Sequence, residues 1–278
     1  MLVRLEQGAL LNNTTGDNNT AVGNDALQNN TTASNNTAIG SQALKANTTG
    51  VKHVAIGSYA LQKTTTASNN VAIGHLSAEE TTTGFSNISI GTQALQENTA
   101  GYGNIAIGYQ SMQDGNADNF NTAVGYQSLK ANTSGGANTG LGNEALSSNT
   151  TGGGNVAVGS MCLDSSTTAS NNTAVGTNSL RATTTAGENT AIGHGSLRYN
   201  TTGIQNTCIG KNAGHNITTG ERNTLIGYNA GSNLTTGNGA GNGRNIAIGD
   251  DTQFADVDDD RSIIIGHNTT GKGDNQTI

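Results

Sequence analysis

One beat governs this chain. A four-residue stretch of the type Thr/Val/Ile-Ala-Val/Ile-Gly ends at Gly23 and returns every 17 residues, without a slip, as far as Gly227. Gly249 follows after 22 residues and Gly266 after a further 17, while Val3-Arg4-Leu5-Glu6 falls in register at the other end. These are sixteen copies of one element. A fixed period of this length marks a stacked repeat, in which each copy is too small to bury a core alone and gains one from its neighbours. The register breaks at a five-residue insertion within Gly237–Arg244. The expected organisation is therefore a regular array over 1–236, a Gly/Asn loop over 237–245, and last coils over 246–278 that carry an acidic loop. Asp274–Ile278 reads as the opening of another strand, so the sequence is expected to be a piece of a longer polypeptide.

Composition decides what each copy folds into. Gly, Asn and Thr make up 120 of the 278 residues, and Pro and Trp are absent. All three are poor helix formers, which excludes a helical repeat. With Thr20 as slot 1 of a 17-residue coil, slots 1 and 3 are mostly β-branched or aliphatic (Thr20 and Val22, Thr37 and Ile39), with Ala21 and Ala38 between them. That is a short strand. Glycine at slot 4 turns the chain, and Leu recurs at slot 8 (Leu27, Leu44, Leu61, Leu95) as a second apolar anchor. At Gly214 and Gly231 slot 8 loses its Leu while slot 11 becomes Ile217 and Leu234, so one methyl cluster per coil enters from either side of the turn. The fold expected is all-β, a parallel β-solenoid of sixteen mostly 17-residue coils. At about 4.8 Å per coil the stack would run roughly 75 Å.

Two polar slots are as regular as the apolar ones. Asn precedes the strand at Asn36, Asn70, Asn87, Asn104, Asn121, Asn138, Asn155, Asn172, Asn189, Asn206 and Asn223, with His53 in the same slot, and Thr holds slot 12 in thirteen of the first fourteen coils. Identical residues at one slot predict ladders, each Asn amide bonding to its neighbour in the next coil. The aliphatic row is expected to fill the coil. The Ala/Gly row (Ala21, Ala38, Ala55, Gly140) then lies on the opposite face, small enough to let several chains assemble side by side. In a monomer that row would face water.

Several functions are excluded or disfavoured. Twelve Lys plus Arg against nineteen Asp plus Glu leave no basic patch for nucleic acid, and no apolar run reaches the length of a membrane span. Cys162 and Cys208 are too few for a disulfide framework, show no metal-ligand spacing, and read as small buried residues. His53, His75, His194, His215 and His267 lie in different coils, and no Gly-x-Ser-x-Gly elbow occurs. The glycines of 101–103 and 237–243 precede no helix that would make them a phosphate loop. The acidic run Asp250, Asp251, Asp256, Asp258, Asp259 and Asp260 lacks EF-hand spacing and reads as a solvated loop rather than a calcium site. No catalytic, cofactor or metal residue is expected, and an enzyme is not.

The copies Asn121–Gly135 and Asn223–Gly237, each opening Asn-Thr-Ala/Leu-Val/Ile-Gly-Tyr, resemble the Asn-Thr-Ala-Val-Gly repeats of bacteriophage tail fibres. They are also similar to the head repeats of trimeric autotransporter adhesins of the YadA type, whose repeat is shorter. The resemblance covers essentially the whole chain and implies a left-handed parallel β-roll wound as a homotrimer. These residues contain no signal peptide, stalk or anchor of the kind such adhesins carry, which favours a virion fibre. The expectation is a structural fibre segment on a virion or extracellular surface, with coil corners at Tyr59, Tyr109, Tyr126 and Tyr228 contacting a host-surface glycan or protein. A cellular adhesin or end-to-end filament subunit is the second reading. An ice-binding solenoid, from the Thr pairs Thr31-Thr32, Thr48-Thr49, Thr65-Thr66 and Thr82-Thr83, is the third.

Overall fold

A computed structural model describes residues 3–115, 118–235, 243–273 and 277. The chain forms two compact units, Met1–Asn138 and Thr139–Ile278. In the first, eight three-residue strands lie side by side: Val3–Leu5, Thr20–Val22, Thr37–Ile39, Val54–Ile56, Val71–Ile73, Ile88–Ile90, Ile105–Ile107 and Thr122–Val124 (β1–β8). The second contains Thr139–Leu141, Val156–Val158, Thr173–Val175, Thr190–Ile192, Thr207–Ile209, Thr224–Ile226, Ile246–Ile248 and Ile263–Ile265 (β9–β16). Within each unit every strand pairs in parallel with the next, slot 1 to slot 1 and slot 3 to slot 3. No helix occurs among the described residues. This is a parallel β-solenoid. The insertion residues 236–242 and the terminal residues 274–276 and 278 lie outside the described ones.

The two faces of the strand are the reverse of the sequence expectation. Slot 2, not slots 1 and 3, points into the coil: Ala21, Ala38, Ala55, Ala72, Ala106 and Ala123 are fully buried, as are the slot 8 leucines Leu27, Leu44, Leu61, Leu95 and Leu129. The aliphatic residues of slots 1 and 3 lie on the outer face, half-buried or exposed. Side chains alternate across a strand, so one parity choice sets the fate of every residue in it. Coil width decides the choice. A 17-residue coil leaves room between its walls for one Leu against one Ala. Two exceptions obey the same volume rule: where slot 2 holds Cys208 or Leu225, the facing slot 8 is Gly214 or Gly231. A Cβ on Gly214 would fall 2.8 Å from the Cys208 sulfur and 3.0 Å from Leu225 Cδ1. Ile217 and Leu234, at slot 11, are both fully buried there, so the apolar filling does enter from either side of the turn. Close packing of this kind conserves volume.

Turn chemistry also differs from the simplest reading. Slot 4 glycine is required twice over. Gly108 has φ +135°, and a Cβ on it would sit 2.3 Å from the Gly125 carbonyl oxygen of the next coil. The left-handed region is not reserved for glycine, however. Asp25, Leu27 and Asn35, at slots 6, 8 and 16, have φ of 56°, 50° and 64°, and the pattern recurs coil after coil. Such positions cost about 1 kcal/mol or more unless the surroundings hold them. Here the next coil does so: Leu27 N–H donates to Ala43 O at 3.0 Å and Leu44 N–H to Ala60 O at 2.9 Å.

Candidate functional site

Three polar columns hold the coils in register. In the first, the Asn before each strand is buried; its backbone N–H donates to the side-chain Oδ1 of the Asn one coil earlier, and its own Nδ2 donates to a carbonyl of the next coil. Asn87 N donates to Asn70 Oδ1 at 2.9 Å, Asn87 Nδ2 to Gly101 O at 2.8 Å, and Asn104 N to Asn87 Oδ1 at 2.9 Å. The same scheme runs through Asn36, Asn121 and Asn138 in the first unit. In the second it runs through Asn155, Asn172, Asn189, Asn206 and Asn223. Direct amide-to-amide bonds are added, as from Asn121 Nδ2 to Asn104 Oδ1 at 3.4 Å in the first unit and from Asn223 Nδ2 to Asn206 Oδ1 at 2.9 Å in the second. The second column is the slot 12 Thr, whose hydroxyl donates to the Thr carbonyl of the next coil, as from Thr14 to Thr31 and Thr31 to Thr48. The third, at slot 11, links Asn13, Asn30 and Asn47. Sequence reasoning passed over it, although the 17-residue spacing of these residues was there to see.

His53 occupies the Asn column with the same bonds. Its backbone N–H donates to Asn36 Oδ1 at 2.9 Å, its Nε2 meets Ala67 O at 2.7 Å, and its Nδ1 accepts from Asn70 N at 3.3 Å. The contact with Ala67 O requires a proton on Nε2 and the one from Asn70 N–H a bare Nδ1, so the ring fits as the neutral tautomer. Burial pushes its pKa below the ordinary 6.5, outweighing the backbone hydrogen bonds that raise it. The folded chain therefore binds this proton less readily than the unfolded chain, and stability falls as pH drops below 6.5. His53→Asn, which keeps both hydrogen bonds without a titrating ring, is expected to lessen that acid loss. Thermal melts of the two proteins at pH 7 and about pH 5 check this; equal acid losses would contradict it.

The tyrosine corners are not one site. Tyr109 and Tyr126 stack, with centroids 5.6 Å apart and planes 13° apart, and both are nearly half exposed. Tyr59 meets His75 edge-on at 6.0 Å, and Tyr228, in the second unit, packs with Lys211 Nζ at 5.6 Å from its ring centroid. A larger aromatic group was missed by the sequence reading. Phe85 stacks on Tyr102 at 4.8 Å with planes 2° apart, and Tyr102 meets Phe120 edge-on at 5.1 Å. Phe120 is 63% exposed and sits at φ +60°. Phe85 and Tyr102 are 17 residues apart, a visible signal, but Phe120 stands one slot out of register.

The acidic run is only partly solvated. Asp259 and Asp260 are buried, against expectation, because their carboxylates cap backbone N–H groups. Asp259 Oδ2 accepts from Ala255 N at 2.8 Å, and Asp260 Oδ1 from Gly243 N at 3.0 Å. Among the described residues, no group of three or more His, Cys, Asp or Glu is placed to hold a metal. Both cysteines are free and buried, and burial pushes the Cys162 thiol up to about 12 and that of Cys208 up as well.

The most extensive surface feature is the outer strand face. In the first unit it presents Val22, Ile39, Ile56, Ile73, Ile90, Ile107 and Val124 in one row, and Thr20, Thr37, Val54, Val71, Ile88, Ile105 and Thr122 in a second. In the second unit Thr173, Thr190, Thr207 and Thr224 align beside Val175, Ile192, Ile209 and Ile226. Neither pair of rows contains a charge. All-parallel sheets are normally covered on both faces, and contiguous exposed apolar patches of this kind mark interaction surfaces. Compared with protein-family models and with curated proteins, the chain matches none.

Proposed function

We propose that this chain is a structural fibre segment whose copies associate laterally as a homotrimer. The outer faces of the strands meet at the centre, and the tyrosine corners are left outside for contact with a host-surface glycan or protein. The observation that carries this reading is the continuous uncharged Val/Ile/Thr face on a wholly parallel sheet. The Ala row cannot serve as the contact surface first expected, because it is inside the coil. The work of the chain is mechanical, and its place is a virion or extracellular surface. It needs no cofactor and no catalytic group. The resemblance of its repeats to those of tail fibres and trimeric adhesins points the same way.

Disulfide trapping tests the arrangement. In a symmetric assembly, equivalent positions of different copies approach one another, so an Ile107→Cys chain is expected to form covalent pairs under mild oxidation. The unsubstituted chain, whose two cysteines are buried and poorly ionised, should not pair. If Ile107→Cys and Ile105→Cys both stay single, the outer face does not join copies.

A further inference from the structure

The slot 11 column has one position where the usual residues are exchanged. Where slot 11 is Asn, a small residue occupies slot 14, as in Asn30 with Ala33 and Asn47 with Gly50, and the coils with Thr64, Thr81, Ser166 or Thr183 at slot 11 also keep a small slot 14. The Asn Nδ2 then donates both to the Oδ1 of the preceding Asn and to the slot 14 carbonyl. In the coil that starts at Ile105, slot 11 is Gly115 and slot 14 is Asp118. The Asp118 side chain is only 2% exposed. Its Oδ2 accepts the hydrogen bond from Asn132 Nδ2 that a ladder Asn at 115 would otherwise have received. The substitution is incomplete, because an amide both accepts and donates whereas a carboxylate only accepts. Two buried acceptors are left over in this step of the column: Asp118 Oδ1 and, one coil earlier, Asn98 Oδ1.

We propose that Asp118 is a proton-binding site built into the spine: in mildly acidic solution the folded coil holds it as the neutral acid, whose O–H supplies the one donor that this step of the column lacks. Gly115 and Asn132, which face its carboxylate, and Gly101 and Asn104, which meet its backbone carbonyl, carry no charge, and no charged group among the described residues contributes to its titration. Desolvation raises its pKa to about 6, against the lowering effect of the Asn132 hydrogen bond. A group whose pKa is raised on folding adds stability that is complete below its ordinary value of 3.8 and is lost as pH rises through about 6. The first unit thus carries opposed titrations, since His53 weakens it on acidification and Asp118 on neutralisation. The exchanged position lies two residues before Phe120, so the loss at neutral pH falls on the coil that carries the end of the aromatic stack.

Carbon-13 NMR of the aspartate carboxyls in the full chain, with Asp118 assigned by its loss in Asp118→Asn, reads the proton directly. A midpoint near 6 is expected; a midpoint near the ordinary 3.8 overturns the proposal. Thermal melts give an independent reading. Gly115→Asn together with Asp118→Gly, which restores the regular slots, is expected to raise the midpoint above that of the unsubstituted chain at about pH 8. At about pH 4 that advantage should be reduced or gone. An advantage independent of pH, or none at either pH, would overturn it.

Discussion

Aspartate at Ile107 is expected to leave the coil folded and to take the proposed assembly of copies apart, whereas aspartate at its neighbour Ala106 is expected to destroy the coil. The two positions are consecutive in one strand, but they face opposite ways. Ile107 lies on the outer face, partly open to solvent, so in a single chain the substitution should change stability by about 0.5 kcal/mol or less. In the proposed assembly the same change would put one carboxylate per copy into an apolar contact, with no described cation beside it. Ala106 is fully buried in a space sized for a methyl group. A carboxylate there is overpacked and unpaired; an uncompensated buried charge costs about 3–5 kcal/mol, a large part of the 5–15 kcal/mol by which ordinary domains are stable. Circular dichroism with light scattering on both variants checks the pair. The opposite result, an unfolded Ile107→Asp and a folded Ala106→Asp, would mean that the aliphatic row is the core.

The second large effect belongs to the Asn column. Asn87→Ala removes the acceptor of Asn104 N–H and the donor to Gly101 O, both in buried surroundings. Gly101 O keeps its hydrogen bond from Asn98 Nδ2 at 3.1 Å, so one buried donor, Asn104 N–H, is left without a partner, and a loss of about 1–3 kcal/mol is expected. Asn87→Asp should do no better, since it keeps an acceptor for Asn104 but loses the donor and buries a charge. Denaturant titration of the full chain measures both. A loss below about 0.5 kcal/mol, typical of surface substitutions, would show that the column is decoration rather than spine.

Much of this architecture was legible in the order of residues. The 17-residue beat placed the strands where they occur, because a stacked repeat must present the same slots to each neighbour. The exchange of Leu for Gly at slot 8, answered by Ile217 and Leu234 at slot 11, announced a coil of constant internal volume. What the pattern left ambiguous was direction. In a three-residue strand, alternation sets Ala106 against Ile105 and Ile107 but does not say which side is in, and size is a poor guide when the interior is narrow. The positive φ at Leu27 and its equivalents was also hidden, since isolated Leu avoids that region and only the hydrogen bonds of the next coil make it tenable. The surface readings were weaker still. Tyr109 and Tyr126 share a slot and stack, whereas Phe120 joins Phe85 and Tyr102 from a neighbouring slot that a count by period does not compare. Asp118 escaped notice for the same reason, because its meaning lies in the paired change at Gly115 and not in its own type.

The claim on which the rest depends is that the outer strand face is covered by other copies of the chain. Light scattering behind a sizing column measures this most directly. Particles with three times the 28.0 kDa of one chain are the predicted result, holding on dilution and lost in Ile107→Asp. A mass of 28.0 kDa across the concentration range would contradict it, leaving each coil closed on its own Ala and Leu core with the Val/Ile/Thr face open to water.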